Sequence, residues 1–202
     1  RRLKLLKGCR MPRPLLIRSE THPYHVTSRS NNKDFFPIPL QEVWEIMLSL
    51  LKTEIKEQDL VVHAFVLMGN HFHLLCQTPN ANLDQIMQRF LRQTSVKISA
   101  RSKTMNHLWG GRYKWSLIES EMHYFQVYRY IYQNPIRAGI CERVEEYPFS
   151  TPLKEDEIEW LNEVFKKEDE DLIKIGLRKH QFDVNKRKQS AFNKLSMPMS
   201  ER

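Results

Sequence analysis

The spacing of apolar positions changes period several times along the chain, and each change marks an element. Residues 24–28 are β-rich and predict a first strand. Over residues 39–56, Val43, Ile46, Met47, Leu50, Leu51 and Ile55 recur at helical spacing and predict an amphipathic helix. Two apolar runs, 60–68 and 72–78, flank Gly69-Asn70, a strong tight-turn pair, and predict a central hairpin. Residues 82–100 return to helical period: Leu83, Ile86, Met87, Phe90, Leu91, Val96 and Ile98 are apolar, with Arg89, Arg92 and Lys97 among the polar positions. Residues 113–119 suit a further strand and 121–134 a helix, which Pro135 is expected to end because it has no N–H to donate. This order of strand, helix, two strands, helix, strand and helix suits an α+β domain, an antiparallel sheet covered by helices.

After Thr151 the pattern gives way to charge. Glu155, Asp156, Glu157, Glu159, Glu163, Glu168, Asp169, Glu170 and Asp171 form an acidic block, and Arg178, Lys179, Lys186, Arg187 and Lys188 reverse the sign. Opposed blocks of this kind mark a helical or partly disordered extension. Ile158, Trp160, Leu161, Val164 and Phe165 give it one apolar stripe that can pack on the domain. At the other end, Arg1, Arg2, Lys4, Lys7 and Arg10 precede Met11-Pro12-Arg13-Pro14, so residues 1–10 read as a basic arm or an upstream extension. The expected division is that arm, a domain over 11–151 and a charged extension over 152–202.

Charge narrows the class of partner. The 202 residues carry a net charge of +8, which favours an anionic partner such as nucleic acid; neither a membrane nor a small-molecule substrate is expected as partner. Cys9, Cys76 and Cys141 are odd in number and fit no close metal or redox spacing, so a reducing compartment is expected. With no run of 18 apolar residues and no long apolar signal core, the expected location is the cytoplasm.

The candidate chemistry lies in two places. In Met68-Gly69-Asn70-His71-Phe72-His73-Leu74-Leu75, strand alternation puts His71 and His73 on one side, about 7 Å apart at Cα, where two neutral imidazoles could grip one divalent ion. The pair alone is a weak signal, since 8 His in 202 residues give about 0.3 such pairs by chance. In the run Tyr124 to Arg137, Tyr130 and Asn134 stand four apart and stack on one helix face about 6 Å along the axis. Tyr124, Tyr128, Ile131 and Tyr132 fall on other faces, where large rings more often pack a core.

Several ordered pieces resemble the single-tyrosine HUH transposase family, most closely its REP-associated tyrosine transposase branch. They are Tyr24-His25-Val26-Thr27-Ser28-Arg29, the Met68 to Leu75 stretch, Trp109-Gly110-Gly111-Arg112-Tyr113-Lys114, Tyr130-Ile131-Tyr132-Gln133-Asn134-Pro135-Ile136-Arg137-Ala138-Gly139, and Tyr147-Pro148-Phe149-Ser150. The resemblance implies a ferredoxin-like sheet flanked by helices, the HUH endonuclease fold. It implies cleavage and rejoining of single-stranded DNA beside a hairpin, through a covalent 5′-phosphotyrosine link. Tyr130 would be the nucleophile, and His71, His73 and Asn134 the ligands of Mg²⁺ or Mn²⁺. Residue chemistry agrees with that need: a phenol of pKa about 10 is about 0.1 per cent ionised at pH 7, roughly 4 kcal/mol from full deprotonation. Such enzymes act as monomers or as homodimers.

Other readings stay open at this stage. Tyr128 and Tyr132 are register alternatives to Tyr130, and Asn134 could instead cap the helix end. His25 and His63 are isolated on apolar strands and read as core residues, and His107 and His123 have no spacing partner. For DNA contact the candidates are Arg112 and Lys114, Trp109 as a stacking ring or equally as a core filler, Arg13, Arg18 and Arg29 along the approach to the sheet, and Arg137 after the helix. A cupin would want Glu where Gln77 or Thr78 stands, and a histidine-triad hydrolase would want His at Leu75. The remaining competitor is a hairpin-binding regulator that keeps the fold without catalysis.

Overall fold

A computed structural model of the protein describes residues 15–103 and 107–166. The arm over 1–10, Arg13 and the basic block beyond 171 lie outside the described residues. The elements are β1 (Tyr24–Arg29), α1 (Leu40–Gln58), β2 (Val61–Met68), β3 (His71–Gln77), α2 (Leu83–Ser102), β4 (Lys114–Leu117), α3 (Glu121–Arg137) and α4 (Glu155–Lys166). The strands form one antiparallel sheet in the order β2-β3-β1-β4, the expected α+β ferredoxin-like arrangement.

Strand alternation sorts the side chains into two cores. Tyr24 and Val26 of β1, Val62, Phe65 and Leu67 of β2, and Phe72, Leu74 and Cys76 of β3 face α1 and α2. There they meet Trp44, Met47 and Leu51 of α1 and Ile86, Met87 and Phe90 of α2. On the other face Ala64, Val66, Met68 and Leu75 meet Phe125, Tyr128, Ile131 and Tyr132 of α3. A register shift between Val62 and Ala64 resets the alternation of β2, so its apolar run serves both cores. Leu161 of α4 is fully buried in the α3 core, and Gln133 Nε2 donates to its carbonyl at 3.0 Å. The apolar stripe of the acidic stretch thus packs on the domain at Leu161, as expected.

The outer edge of β2 is covered. Ser150 bridges Val66, the Leu67 and Thr151 N–H groups bond the Phe149 and Phe65 carbonyls, and the Tyr147 hydroxyl donates to the Leu67 carbonyl at 2.6 Å. This closes a row of backbone groups that would otherwise invite another strand.

One expectation needs correcting. Pro135 does not end α3; the helix continues through it to Arg137. Pro135 withholds its own N–H from the ladder, and the stop comes at Gly139, whose φ of +68° is the left-handed conformation glycine adopts without penalty. Gly139 and Ile140 donate to the Ile136 and Pro135 carbonyls at 2.9 and 3.0 Å, the double bond of a Schellman cap. Asn134 is thus held inside a helix. The Gly69-Asn70 turn is present, but neither residue has positive φ. A Cβ on Gly69 would stand 2.8 Å from the Phe35 ring and push that exposed side chain aside.

Candidate active site

Because α3 packs on β2 and β3, the face of β1 beyond it is left open. His71 and His73 reach that face from β3 and His25 and Thr27 from β1, while Tyr130 and Asn134 descend from α3. The His73 ring lies at the centre. Its centroid is 5.1 Å from that of His71, 5.2 Å from His25 and 5.3 Å from Tyr130. The Asn134 amide nitrogen is 3.2 Å from His73 Nε2. The structure therefore brings His71, His73, Tyr130 and Asn134 into one cluster.

The tyrosines of α3 divide sharply. The Tyr124 hydroxyl meets His63 Nδ1 at 3.0 Å, that of Tyr128 faces Glu157 at 3.5 Å, and that of Tyr132 meets Thr151 Oγ1 at 2.6 Å. All three rings are buried, with Tyr128 and Tyr132 at 1% and 2% exposure. Tyr130 is 39% exposed, and its hydroxyl takes no hydrogen bond among the described residues.

Both candidate histidine ligands meet a neighbour at Nδ1. His71 Nδ1 lies 2.7 Å from Asn70 Oδ1, and Asn70 in turn donates from Nδ2 to the Lys33 carbonyl at 2.7 Å. His73 Nδ1 lies 3.0 Å from His25 Nε2. Burial, reinforced by His25, His71 and Arg29, brings His73 down to about 3. Burial and then Arg29 bring His71 to about 4, against an opposing bond from Asn134, and burial and then His123 bring His25 to about 4. At neutral pH these are bare-nitrogen bases of the kind a cation requires. Two imidazoles and an amide that can turn its Oδ1 inward fit a divalent ion with sites left open for substrate.

The same shifts fix an acid dependence. These imidazoles have folded pKa values below the ordinary 6.5, so between pH 6.5 and about 4 the unfolded chain binds more protons. The metal-free protein is expected to lose stability steadily as pH falls through that window. Urea midpoints at pH 7, 6, 5 and 4 test this, and His73→Gln should flatten only part of the fall, leaving the share carried by His71 and His25.

A groove of about 820 Å³ opens from this cluster, lined by His71, His73 and Tyr130, by Arg29 and Lys33, and by Gly110, Gly111, Arg112 and Lys114. Its walls carry those four cations and no acidic residue. Gly110 lets the two walls approach, since a Cβ there would stand 3.0 Å from the Ser30 carbonyl. Among the expected DNA contacts, the structure places Arg29, Arg112 and Lys114 on the groove.

The others lie elsewhere. Arg18 is committed to Asp84, through two bonds of 2.8 and 2.6 Å, and to the Ala81 carbonyl. Trp109 is part of the α1/α2 core: its Nε1 donates to the Leu91 carbonyl at 3.0 Å and its ring meets Phe36 and Phe72 edge to face. Arg137 is exposed at the end of α3 and does not line the groove. The structure also supplies residues the sequence reading did not assign to the site: His25, Asn70 and Lys33. The pairing of Thr27 with His73 makes His25 a diagonal neighbour of that ring, a relation visible only once the register is known.

No helix among the described residues is long and apolar enough to cross a membrane. Among curated proteins none matches the chain. Among solved structures it is similar to a REP-associated tyrosine transposase bound to a REP hairpin, with a TM-score of 0.60 and 17% identity over 70% of this chain and 82% of that one. It is also similar to a crystal structure described as a transposase of Deinococcus radiodurans R1, with a TM-score of 0.41 and 15% identity over 60% and 94% of the two chains. The first likeness supports the same fold. The model of the IS200-like transposases matches residues 19–134, which hold every element from β1 to Asn134, and the chain belongs to that family.

Proposed function

We propose that this IS200-like transposase belongs to the REP-associated branch and cleaves and rejoins single-stranded DNA beside hairpins, through a tyrosine-linked intermediate. The observation that carries the reading is the placement of Tyr130. It is the exposed tyrosine of α3, on the wall of a basic groove and beside two neutral imidazoles.

The chemistry follows from those positions. A strand lying in the groove meets Arg29, Lys33, Arg112 and Lys114, which neutralise its phosphates and set its register. The Tyr130 oxygen then attacks phosphorus, an O–P bond forms, and the bond to the 3′-oxygen breaks. The phenolic proton passes to solvent, and the departing oxygen takes one proton from solvent and leaves as a 3′-hydroxyl. Attack by that hydroxyl on the phosphotyrosine reverses the step and rejoins the strand. His71, His73 and Asn134 would hold Mg²⁺ or Mn²⁺, which when bound polarises the phosphate and neutralises charge on the leaving oxygen. Seated inside α3, Asn134 shares a rigid rod with Tyr130, so ligand and nucleophile keep one spacing.

The test is incubation of the protein with end-labelled single-stranded hairpin DNA from its genomic flanks, with Mn²⁺ or Mg²⁺, followed by a denaturing gel. A metal-dependent covalent adduct is expected. Binding without adduct across several hairpins and both metals would favour the regulator. The groove has its own consequence. Replacing Arg29, Arg112 and Lys114 together by alanine should weaken single-strand binding for all sequences alike. If each contacts one phosphate, the salt slope of log K should flatten by about 2, at about 0.7 per contact. Fluorescence anisotropy from 50 to 300 mM salt reads this, and an unchanged slope would place the strand elsewhere.

A further inference from the structure

We propose that His25 and Asn70 are positioning residues that lock His73 and His71 as Nδ1–H tautomers, so that both Nε2 atoms stay bare toward the Asn134 side. The inference rests on the metal-ligand reading of those histidines and adds the partners that reading leaves out.

The hydrogen-bond geometry of the two rings carries it. Asn70 Oδ1, 2.7 Å from His71 Nδ1, can only accept, so this contact calls for the His71 proton on Nδ1 and competes with the Asn134 bond to the same ring. The Asn70 amide is itself held, because its Nδ2 donates to the Lys33 carbonyl and thereby fixes which end faces the imidazole. For His73 the logic runs from the opposite nitrogen. In the metal-free orientation the Asn134 amide presents its nitrogen to Nε2 at 3.2 Å and donates, so Nε2 accepts and the proton sits on Nδ1; turning Oδ1 inward to an ion would leave that same nitrogen bare. That Nδ1–H then points at His25 Nε2, 3.0 Å away, which must accept and leave the His25 proton on its own Nδ1. The His25 and His73 ring planes are only 24° apart, compatible with a bond made nearly in the plane of both rings. His25 comes from β1 and Asn70 from the turn between β2 and β3, so neighbouring parts of the sheet each fix one ligand. A partner on the second nitrogen sets both the tautomer and the ring angle of a metal-binding histidine, and its loss typically costs 10–100-fold in metal affinity.

The test has two independent readouts on the full chain. Long-range ¹H–¹⁵N correlation NMR on the metal-free protein at pH 7 should show His71 and His73 protonated on Nδ1 and bare at Nε2. An Nε2–H tautomer at His73 would overturn the role of His25, and one at His71 that of Asn70, whatever the variants do.

Mn²⁺ titration followed by electron paramagnetic resonance then compares wild type, His25→Gln and His25→Leu. Glutamine keeps an accepting oxygen and should bind within about 3-fold of wild type, whereas leucine should lose about 10–100-fold. Equal affinities in all three, or equal loss in both variants, would overturn the acceptor role. Should the leucine variant fail to fold, the tautomers and the glutamine variant still decide. A wild type that binds no Mn²⁺ while showing the expected tautomers would remove the metal reading itself, a result distinct from failure of the lock.

Discussion

Replacing Tyr130 by phenylalanine is expected to abolish the covalent DNA adduct and strand cleavage, a loss of at least about 10³-fold, while leaving hairpin binding and the fold unchanged. The size of the effect follows from the role: no other group replaces the attacking oxygen, and removal of a nucleophile is among the most costly changes an active site can suffer. The small effect on structure follows from the surroundings. The Tyr130 ring is 39% exposed, and its hydroxyl has no hydrogen-bond partner among the described residues to leave stranded. The variant should therefore unfold within about 0.5 kcal/mol of wild type. Tyr132→Phe is the informative control. Its hydroxyl is buried against Thr151, so that variant should lose about 1 kcal/mol of stability and keep the adduct. An adduct surviving in Tyr130→Phe and vanishing in Tyr132→Phe would reverse the assignment.

Those two tyrosines show what the sequence carries and what it does not. Helical spacing put Tyr130 on the face of Asn134 and set Tyr128 and Tyr132 on others, since that depends only on residue count along one helix. It could not say which face met the sheet, because that depends on Ala64, Val66 and Leu75 being turned toward α3. The hairpin was legible for the same local reason, with its apolar runs and turn pair adjacent in the chain. Non-local relations were not legible. The approach of His25 to His73 spans 48 residues and exists only through the register of β1 on β3. The bond of Arg18 to Asp84 spans 66 residues and was equally out of reach of spacing along the chain.

Pro135 misled for a different reason. Its missing donor is a real cost, but a helix packed on a sheet can bear one lost bond. The packing of Ile131, Tyr132 and Ile136 holds the segment helical until Gly139 offers a left-handed stop. Gly139 was the better stop signal, and it stood in the sequence. The functional gain is rigidity: with α3 continuous past Asn134, the amide is kept 3.2 Å from His73 instead of at a fraying end.

His73 is where these relations converge, and His73→Ala is expected to remove strand cleavage and Mn²⁺ binding together while hairpin affinity stays within about 3-fold. Binding should survive because the groove cations, Arg29, Lys33, Arg112 and Lys114, come from other segments and need nothing from the imidazole. Stability should fall by about 1–3 kcal/mol, since the side chain is 5% exposed and its loss leaves Asn134 and His25 facing a gap. That fall is modest against the loss of chemistry. It can be separated by assaying at a temperature where circular dichroism shows the variant fully folded. His71→Ala, at the half-buried margin of the same cluster, should repeat the loss of cleavage with a smaller drop in stability. Equal loss of binding and cleavage in both variants would make the histidines part of the scaffold. Cleavage persisting in both would mean that the tyrosine attacks without them, and the imidazole pair would need another purpose.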